Sequence, residues 1–506
     1  MISKVKTVAF IGMTPIEIVV EAQLSPGVAS FNIVGLPDKS VGEAKERIRS
    51  TFFQLGLGFP SNKVIVNMAP ADIPKSGSHY DLPIALAILG AMGIIDAELL
   101  QNTISLGELG LDGNLAYVFG TICAAMLANE KGYSILCPKQ CGKEALWSGN
   151  KSIIAVSNIL SIINHLKGSS QIAVLDEPSI LQNDYEYDID IYEVHGQHLA
   201  KRALEIAACG GHNVLMIGPP GSGKSMLAHR ARTILPILSP EEALETTCVY
   251  SMSGMLPESG LIYMPPFRDP HNSSSLVSII GGGIDAKPGE LSLSHNGILF
   301  LDEFPEFPRS IIESLRQPLE THKITVSRAK EHISYPANIQ LIAAMNPCKC
   351  GFFGDANREC AKAPRCALEY RNRISGPILD RFDITIYMPN IKASDLFQNE
   401  KREHSKEIRK RVSDVREIQY RRAENHSISK CKLNGKVQNN FLYSITKLDT
   451  NLKAFFQKAV EYSNLSARGC YKVLRVARTI ADMEMSTDIY KHHILEALQY
   501  RLLNFK

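Results

Sequence analysis

The chain has 506 residues, of which 45% are hydrophobic and 21% charged, and its 55 Lys and Arg against 52 Asp and Glu leave a net charge of +3. Such a length exceeds what one hydrophobic core supports, so roughly two to four domains are expected. The near-neutral balance excludes a globally basic surface, and with no apolar run of about twenty residues and no signal-peptide core a membrane span is excluded and a cytoplasmic location expected. Eleven cysteines are too sparse for a disulfide scaffold and read as free thiols or metal ligands.

In chain order, residues 5–11, 16–22, 31–34 and 63–67 read as strands, and the amphipathic 41–55 and the apolar 82–92 as helices. Residues 1–167 are thus expected to form an α+β domain with its own core. Residues 168–190 are polar, acidic and weakly periodic, the composition of a linker. Across 191–395 strands and helices alternate as in a doubly wound α/β nucleotide-binding fold. From 396 to 506 the pattern is helical, with Ile408, Val412, Val415 and Ile418 on one stripe and further helices at 452–463 and 467–483, and the segment reads as a helical lid.

The octet Gly218-Pro-Pro-Gly221-Ser222-Gly223-Lys224-Ser225 matches the phosphate-binding loop G-x-x-x-x-G-K-[ST], between an apolar strand (213–217) and a helix (226–235). Glycines let backbone amides approach phosphates, Lys224 reaches the outer phosphates, and the Ser225 hydroxyl ligates magnesium. ATP and Mg2+ are therefore the expected cofactors. About eighty residues on, the apolar run 297–301 ends in Asp302-Glu303, a pattern that delivers Asp302 to the magnesium shell and Glu303 to the attacking water. A third apolar strand, 339–345, ends at Asn346-Pro347, which offers an amide to sense the outer phosphate but is also ordinary turn chemistry. Arg381, in Leu379-Asp380-Arg381-Phe382-Asp383, reads either as an arginine finger for a neighbouring subunit or as a structural ion-pair partner.

The order of these motifs, with Gly281 to Glu290 in the pattern Gly-Gly-Gly-x-x-x-x-Pro-Gly-Glu and His295-Asn296-Gly297, resembles the magnesium-chelatase-like AAA+ ATPases. More closely it is similar to the ComM/YifB group, over essentially the whole chain. The resemblance implies an α/β AAA+ P-loop core, a Lon-protease-like α+β N-terminal domain, an α-helical C-terminal lid and a homo-hexameric ring. It makes Lys224, Ser225, Asp302, Glu303 and Asn346 act in cis and Arg381 in trans. It also matches Arg468 to the sensor arginine of the lid, with Arg475 and Arg478 about two and three turns further along the same helix.

Residues 67–81 resemble the Lon loop that carries the nucleophilic serine, but the nucleophile position falls on His79, one residue after Ser78, and the lysine-base position on Ile122. An isoleucine cannot deprotonate a serine, so no proteolysis is expected. Cys348, Cys350, Cys360 and Cys366 offer four thiolates for a tetrahedral zinc site, or else form a loop of free cysteines. Residues 320–336 read as a β-hairpin bearing Lys323, Arg328 and Lys330, which rings of this class place in the central pore; Lys287 lies in a second pore candidate. Six copies would concentrate phosphate-binding charge, whereas each lysine taken singly reads as a solvated surface charge. The group is associated with DNA branch migration during homologous recombination in natural transformation. The resemblance thus implies an ATP-driven translocase on branched, duplex or single-stranded DNA, working beside recombination proteins. The rival readings are a chelatase-like or protein-remodelling motor and a nucleotide-gated scaffold.

Overall fold

The computed structural model describes residues 2–172, 175, 187–283, 286–327, 332–353, 360–390, 402–428, 432–463 and 465–501. Two compact units emerge. One comprises Met1–Asn183 with Ser239–Tyr263, the other Asp184–Leu238 with Met264–Lys506.

In the first unit a seven-stranded mixed sheet runs in the order Ser30–Val34, Lys63–Ala69, Thr14–Ser25, Ile2–Ile11, Thr103–Ser105, Ser134–Pro138, Ile153–Val156. The first two strands of the chain pair antiparallel from Ile2↔Gln23 to Ile11↔Thr14, so alternate residues such as Val5, Ile18 and Val20 are buried. The helix Lys39–Gln54 starts where the Asp38 carboxylate accepts from Val41 N at 2.8 Å and buries Val41, Ala44, Ile48 and Phe52 along one face. The helix Asp81–Ala91 is buried over its whole length and apolar after Asp81, whose carboxylate pairs with Arg47 at 2.6 Å; burying a Leu or Ile of this kind stabilises by about 1.5–3 kcal/mol.

The helix Pro240–Ser253 falls within the expected nucleotide-binding span 191–395, yet it packs in this first unit. Ser239 and Glu242 close a capping box at its start. Its Cys248 packs with Ile122 and Cys123 beside Met126 and Trp147, and Ser251 Oγ accepts from Gly120 N at 2.9 Å while donating to the buried Glu144 carboxylate.

In the second unit five parallel strands lie in the order Phe267–Arg268, Ile298–Leu301, Gln340–Met345, Val214–Ile217, Ile384–Tyr387. Each of the three inner strands is buried at every position, as a parallel sheet covered on both faces requires. Val214, Met216, Phe300, Ile342 and Ile384 share one core with Ile408, Val412 and Val415 of the helix Ser405–Asn425 and with Val473, Val476 and Ile480 of Ala467–Met483. The C-terminal helices therefore belong to the same unit as the sheet. Among the described residues no helix is long and apolar enough to cross a membrane.

Candidate functional site

Lys224, Ser225, Asp302, Glu303 and Asn346 follow the carboxyl ends of the three inner strands, the place where open parallel sheets bind ligands, whereas Arg381 precedes the edge strand Ile384–Tyr387 and Arg468 lies in the helix Ala467–Met483. Val214–Ile217 feeds the loop 218–223, and the helix Lys224–Ala231 begins directly behind it. Gly221 and Gly223 hold φ of +81° and +88°. At Gly223, the N-cap of that helix, a side chain would be strained in this left-handed conformation, so the amides can turn toward one point. Ser222 is buried and its carbonyl accepts from Gln197 Nε2 at 3.1 Å; the same amide donates to Pro389 O at 2.8 Å and ties the loop to the end of the last strand.

Lys224 is 8% exposed. Its ammonium donates to the carbonyls of Gly218 and Pro219, each at 2.8 Å, and lies 3.3 Å from Asn346 Oδ1. Burial lowers its pKa and the Asp302 charge works the other way. Asn346 thus stands beside the loop lysine. Ser225 Oγ lies 2.5 Å from Asp302 Oδ2, which brings the two expected magnesium ligands together although 77 positions separate them. The donor set, one hydroxyl and one carboxylate, is of the hard oxygen kind that Mg2+ takes.

Glu303 is exposed and follows Asp302 with φ +48° and ψ +43°. For a residue other than glycine this left-handed backbone is an uncommon, strained state of the kind found at reacting centres. Its Oε2 accepts from Asn272 Nδ2 at 3.2 Å. Asn272, in a polar loop 31 positions earlier, carries no sequence signal that singles it out, and nor does Gln197.

Arg381 is 8% exposed, with Nη2 2.7 Å from Glu320 Oε1. Its Nε is buried without a hydrogen-bond partner among the described residues, so the guanidinium is only partly satisfied by its own chain. Arg468 is exposed in the first turn of Ala467–Met483. Arg475 is spent on Val437 O at 2.7 Å and Asn439 Oδ1 at 3.1 Å, and Arg478 on Asp482 and Thr487 O. Of the three arginines, Arg468 is the exposed one. One turn further on, Lys472 pairs with the buried Asp383 at 2.8 Å. Burial alone would raise the Asp383 pKa, but the Lys472 charge and His212 hold it well below the usual carboxylate range.

The motif residues of the sequence also gain structural reasons. Glu290 receives Arg268 in a two-point ion pair at 2.6 and 2.7 Å. His295 Nδ1 accepts from Asn338 N at 3.0 Å, and a side chain at Gly297 would collide with Pro266 O.

Lys323–Ser327 and His332–Pro336 form the expected antiparallel hairpin, with Ile324 opposite Tyr335 and Val326 opposite Ile333. Those four side chains are buried, while Lys323, Thr325 and Ser334 face out. Lys287 is exposed on a two-stranded ribbon, Gly281–Gly282 with Lys287–Pro288, and Tyr335 Oη donates to Ala286 O at 2.9 Å, joining ribbon to hairpin. The two pore candidates are one block. Arg328 and Lys330 lie outside the described residues.

In the first unit Ser78 Oγ bonds to Glu108. His79 is buried with Nε2 2.9 Å from Val8 O, and Ile122 is fully buried. The sulfurs of Cys348, Cys350, Cys360 and Cys366 converge within 4.8 Å of one another.

Three family descriptions match the chain in order: "Subunit ChlI of Mg-chelatase" over residues 20–141, "Magnesium chelatase, subunit ChlI" over 190–396, and "Magnesium chelatase, subunit ChlI C-terminal" over 402–501. The chain is 39% identical to the competence protein ComM of Haemophilus influenzae, across 96% of this chain and 94% of that protein. It is 39% identical to YifB of Salmonella typhimurium and 38% identical to YifB of Escherichia coli K12, across 99% of this chain and 97% of each relative. With the parallel sheet and its phosphate loop, these likenesses establish that the chain belongs to the ComM/YifB family of magnesium-chelatase-like AAA+ ATPases.

Proposed function

We propose that the protein is an ATP-driven DNA translocase that works as a homo-hexameric ring and promotes branch migration during homologous recombination in natural transformation. The observation that carries this reading is the joining of hairpin and ribbon by Tyr335 and Ala286, which sets exposed Lys323 and Lys287 on one block of the ATPase unit. Stacked in several copies, such a block would concentrate phosphate-binding charge in a chain whose net charge is only +3. The Haemophilus relative's name, a competence protein, supports the same direction.

In this reading the amides of 218–223 and Lys224 bind the phosphates, and Ser225 with Asp302 holds the magnesium ion, which supplies charge neutralisation at the transferring phosphoryl group. Glu303 orients and polarises the attacking water, Asn272 positions the Glu303 carboxylate, and Asn346 reads the outer phosphate. Arg381 of the next subunit stabilises the transition-state charge, and Arg468 closes the lid on the nucleotide. The N-terminal unit carries out no peptide hydrolysis, because its base position is the buried Ile122; cleavage that vanishes in Ser78→Ala would overturn this.

The test is ATP turnover with and without branched, duplex and single-stranded DNA, with Glu303→Gln as the inactive control. Stimulation greatest with branched DNA supports the reading. Turnover indifferent to every DNA replaces it with a chelatase-like or protein-remodelling motor, and a ring without turnover replaces it with a scaffold. In parallel, Lys323→Ala with Lys287→Ala should weaken DNA binding and flatten the salt dependence by about one unit of slope for each phosphate no longer neutralised.

A further inference from the structure

Directly after the sensor strand the chain turns through Cys348 and Cys350, and Cys360 and Cys366 return to the same spot. The Sγ atoms of Cys348 and Cys350 are 3.1 Å apart, and all four lie within 4.8 Å of one another. Metal–sulfur bonds of about 2.3 Å in a tetrahedron place sulfurs about 3.8 Å apart, so the cluster brackets the required spacing, and shifts of about 1 Å or less at the sulfurs reach it. All four thiols are free of disulfides.

The surroundings suit a bound thiolate set. Phe353 N donates to Cys348 Sγ at 3.3 Å, the kind of outer hydrogen bond that orients a ligand sulfur. Phe353, Ala363 and Ala367 close apolar cover over the buried Cys348 and Cys360, while exposed Cys350 leaves an entry path. The turn itself depends on Gly351, whose φ is +86°. Soft sulfur ligands in this number select zinc over the hard ions that oxygen sites take.

We propose that Cys348, Cys350, Cys360 and Cys366 bind one Zn2+ as a tetrathiolate site, and that this site holds the phosphate-binding loop and the sensor asparagine in register. Each thiol releases its proton to solvent as its sulfur bonds to the metal. The link to the nucleotide site is physical at two points. A Cβ at Gly351 would stand 2.7 Å from Pro220 Cδ and 3.1 Å from its Cγ, so the knuckle is packed against the loop. Cys348 is also two residues from Asn346, whose Oδ1 lies 3.3 Å from Lys224 Nζ. The zinc assignment stands apart from the DNA reading; the register claim rests only on nucleotide binding at the loop.

The experiment uses the full chain purified from zinc-supplemented medium without chelator. Mass spectrometry of the metal should find one zinc per chain in the wild type and a loss of it in Cys348→Ser and Cys366→Ser. Wild type with no stoichiometric metal, or with iron in place of zinc, overturns the assignment. Because the serine variants can fail to fold, the wild type carries a second measurement: a zinc-selective chelator should expose four additional thiols to a thiol reagent, and an unchanged thiol count overturns the site. For the register claim, a fluorescent ATP analogue is titrated in excess Mg2+ before and after chelation. Its affinity should fall about tenfold, the lower range seen when support around a site is lost, and equal affinity overturns the link to the loop. None of these readouts uses DNA, so a failure here and a failure of the translocase reading are separable.

Discussion

Arg381 pairs with Glu320 at 2.7 Å and has an Nε with no hydrogen-bond partner among the described residues. The partly satisfied guanidinium leaves a donor for an acceptor supplied by another chain, but Arg475, bonded within its own chain to Val437 O, also keeps a buried Nε unpaired among those residues, so only a functional test separates the two roles. If Arg381 stabilises the transition state, Arg381→Ala should lower ATP turnover about 10³-fold or more at unchanged nucleotide affinity, while Glu320→Gln keeps most of the turnover. Equal losses in both variants, in a steady-state ATPase assay, would assign Arg381 to structure alone. His79 makes a prediction of a different kind. Burial lowers its pKa from 6.5 to about 4, with the bond to Val8 O working the other way, so the unfolded chain binds the extra proton first. Its contribution is complete above pH 6.5 and is lost as the pH falls from 6.5 toward 4, a swing on the order of 3 kcal/mol. Urea unfolding of the first unit should therefore weaken over that window, and the slope should flatten in His79→Gln. At this scale the sequence made Lys224, Ser225, Asp302 and Glu303 legible, because each is written into a short local pattern. Asn272, Gln197 and Glu320 were not legible, because their roles arise from contacts across 25 to 192 positions that no local pattern encodes.

Periodicity identified the strands at 5–11 and 16–22 and the helices at 41–55 and 467–483, with ends shifted by a few residues, but the helices His198–Gly210 and Pro240–Ser253 were covered only by the alternating span 191–395. What it could not show is which core an element joins. The helix Pro240–Ser253 buries Ala243, Cys248 and Val249, but an apolar face is equally compatible with either unit; the choice is fixed by Ser251 meeting Glu144 and Gly120. The helix Ala467–Met483 is fastened by a charge instead. Lys472 Nζ donates to Asp383 Oδ1 at 2.8 Å and to Phe382 O at 3.1 Å, joining the helix to the segment that carries Arg381. Removing one partner of a buried pair strands the other charge, so Lys472→Met should cost about 3–5 kcal/mol, and Asp383→Asn in the same chain should recover much of it. Denaturant unfolding of the single and double variants measures the coupling; additive losses would show that the pair does not act as a unit.

At the scale of the whole molecule, the decisive question is whether one chain completes another's nucleotide site. Glu303 lies at the sheet end beside Asp302, while Arg381 is held near Glu320 in the same chain. A chain with Glu303→Gln keeps a working finger but cannot activate water, and a chain with Arg381→Ala keeps its base but lacks the finger. If the finger acts in trans, mixing these two inactive proteins should restore hydrolysis wherever an Arg381→Ala chain receives Arg381 from a Glu303→Gln neighbour. With equal amounts and random assembly in a closed ring, that junction occurs at about one quarter of the sites, so turnover should return to about one quarter of wild type if sites fire independently. Cooperative firing around the ring would push the recovery below that fraction without abolishing it. A mixture as inactive as its components, under conditions where sedimentation shows the two chains co-assembling, would confine Arg381 to its own chain and remove the ring from the hydrolytic mechanism.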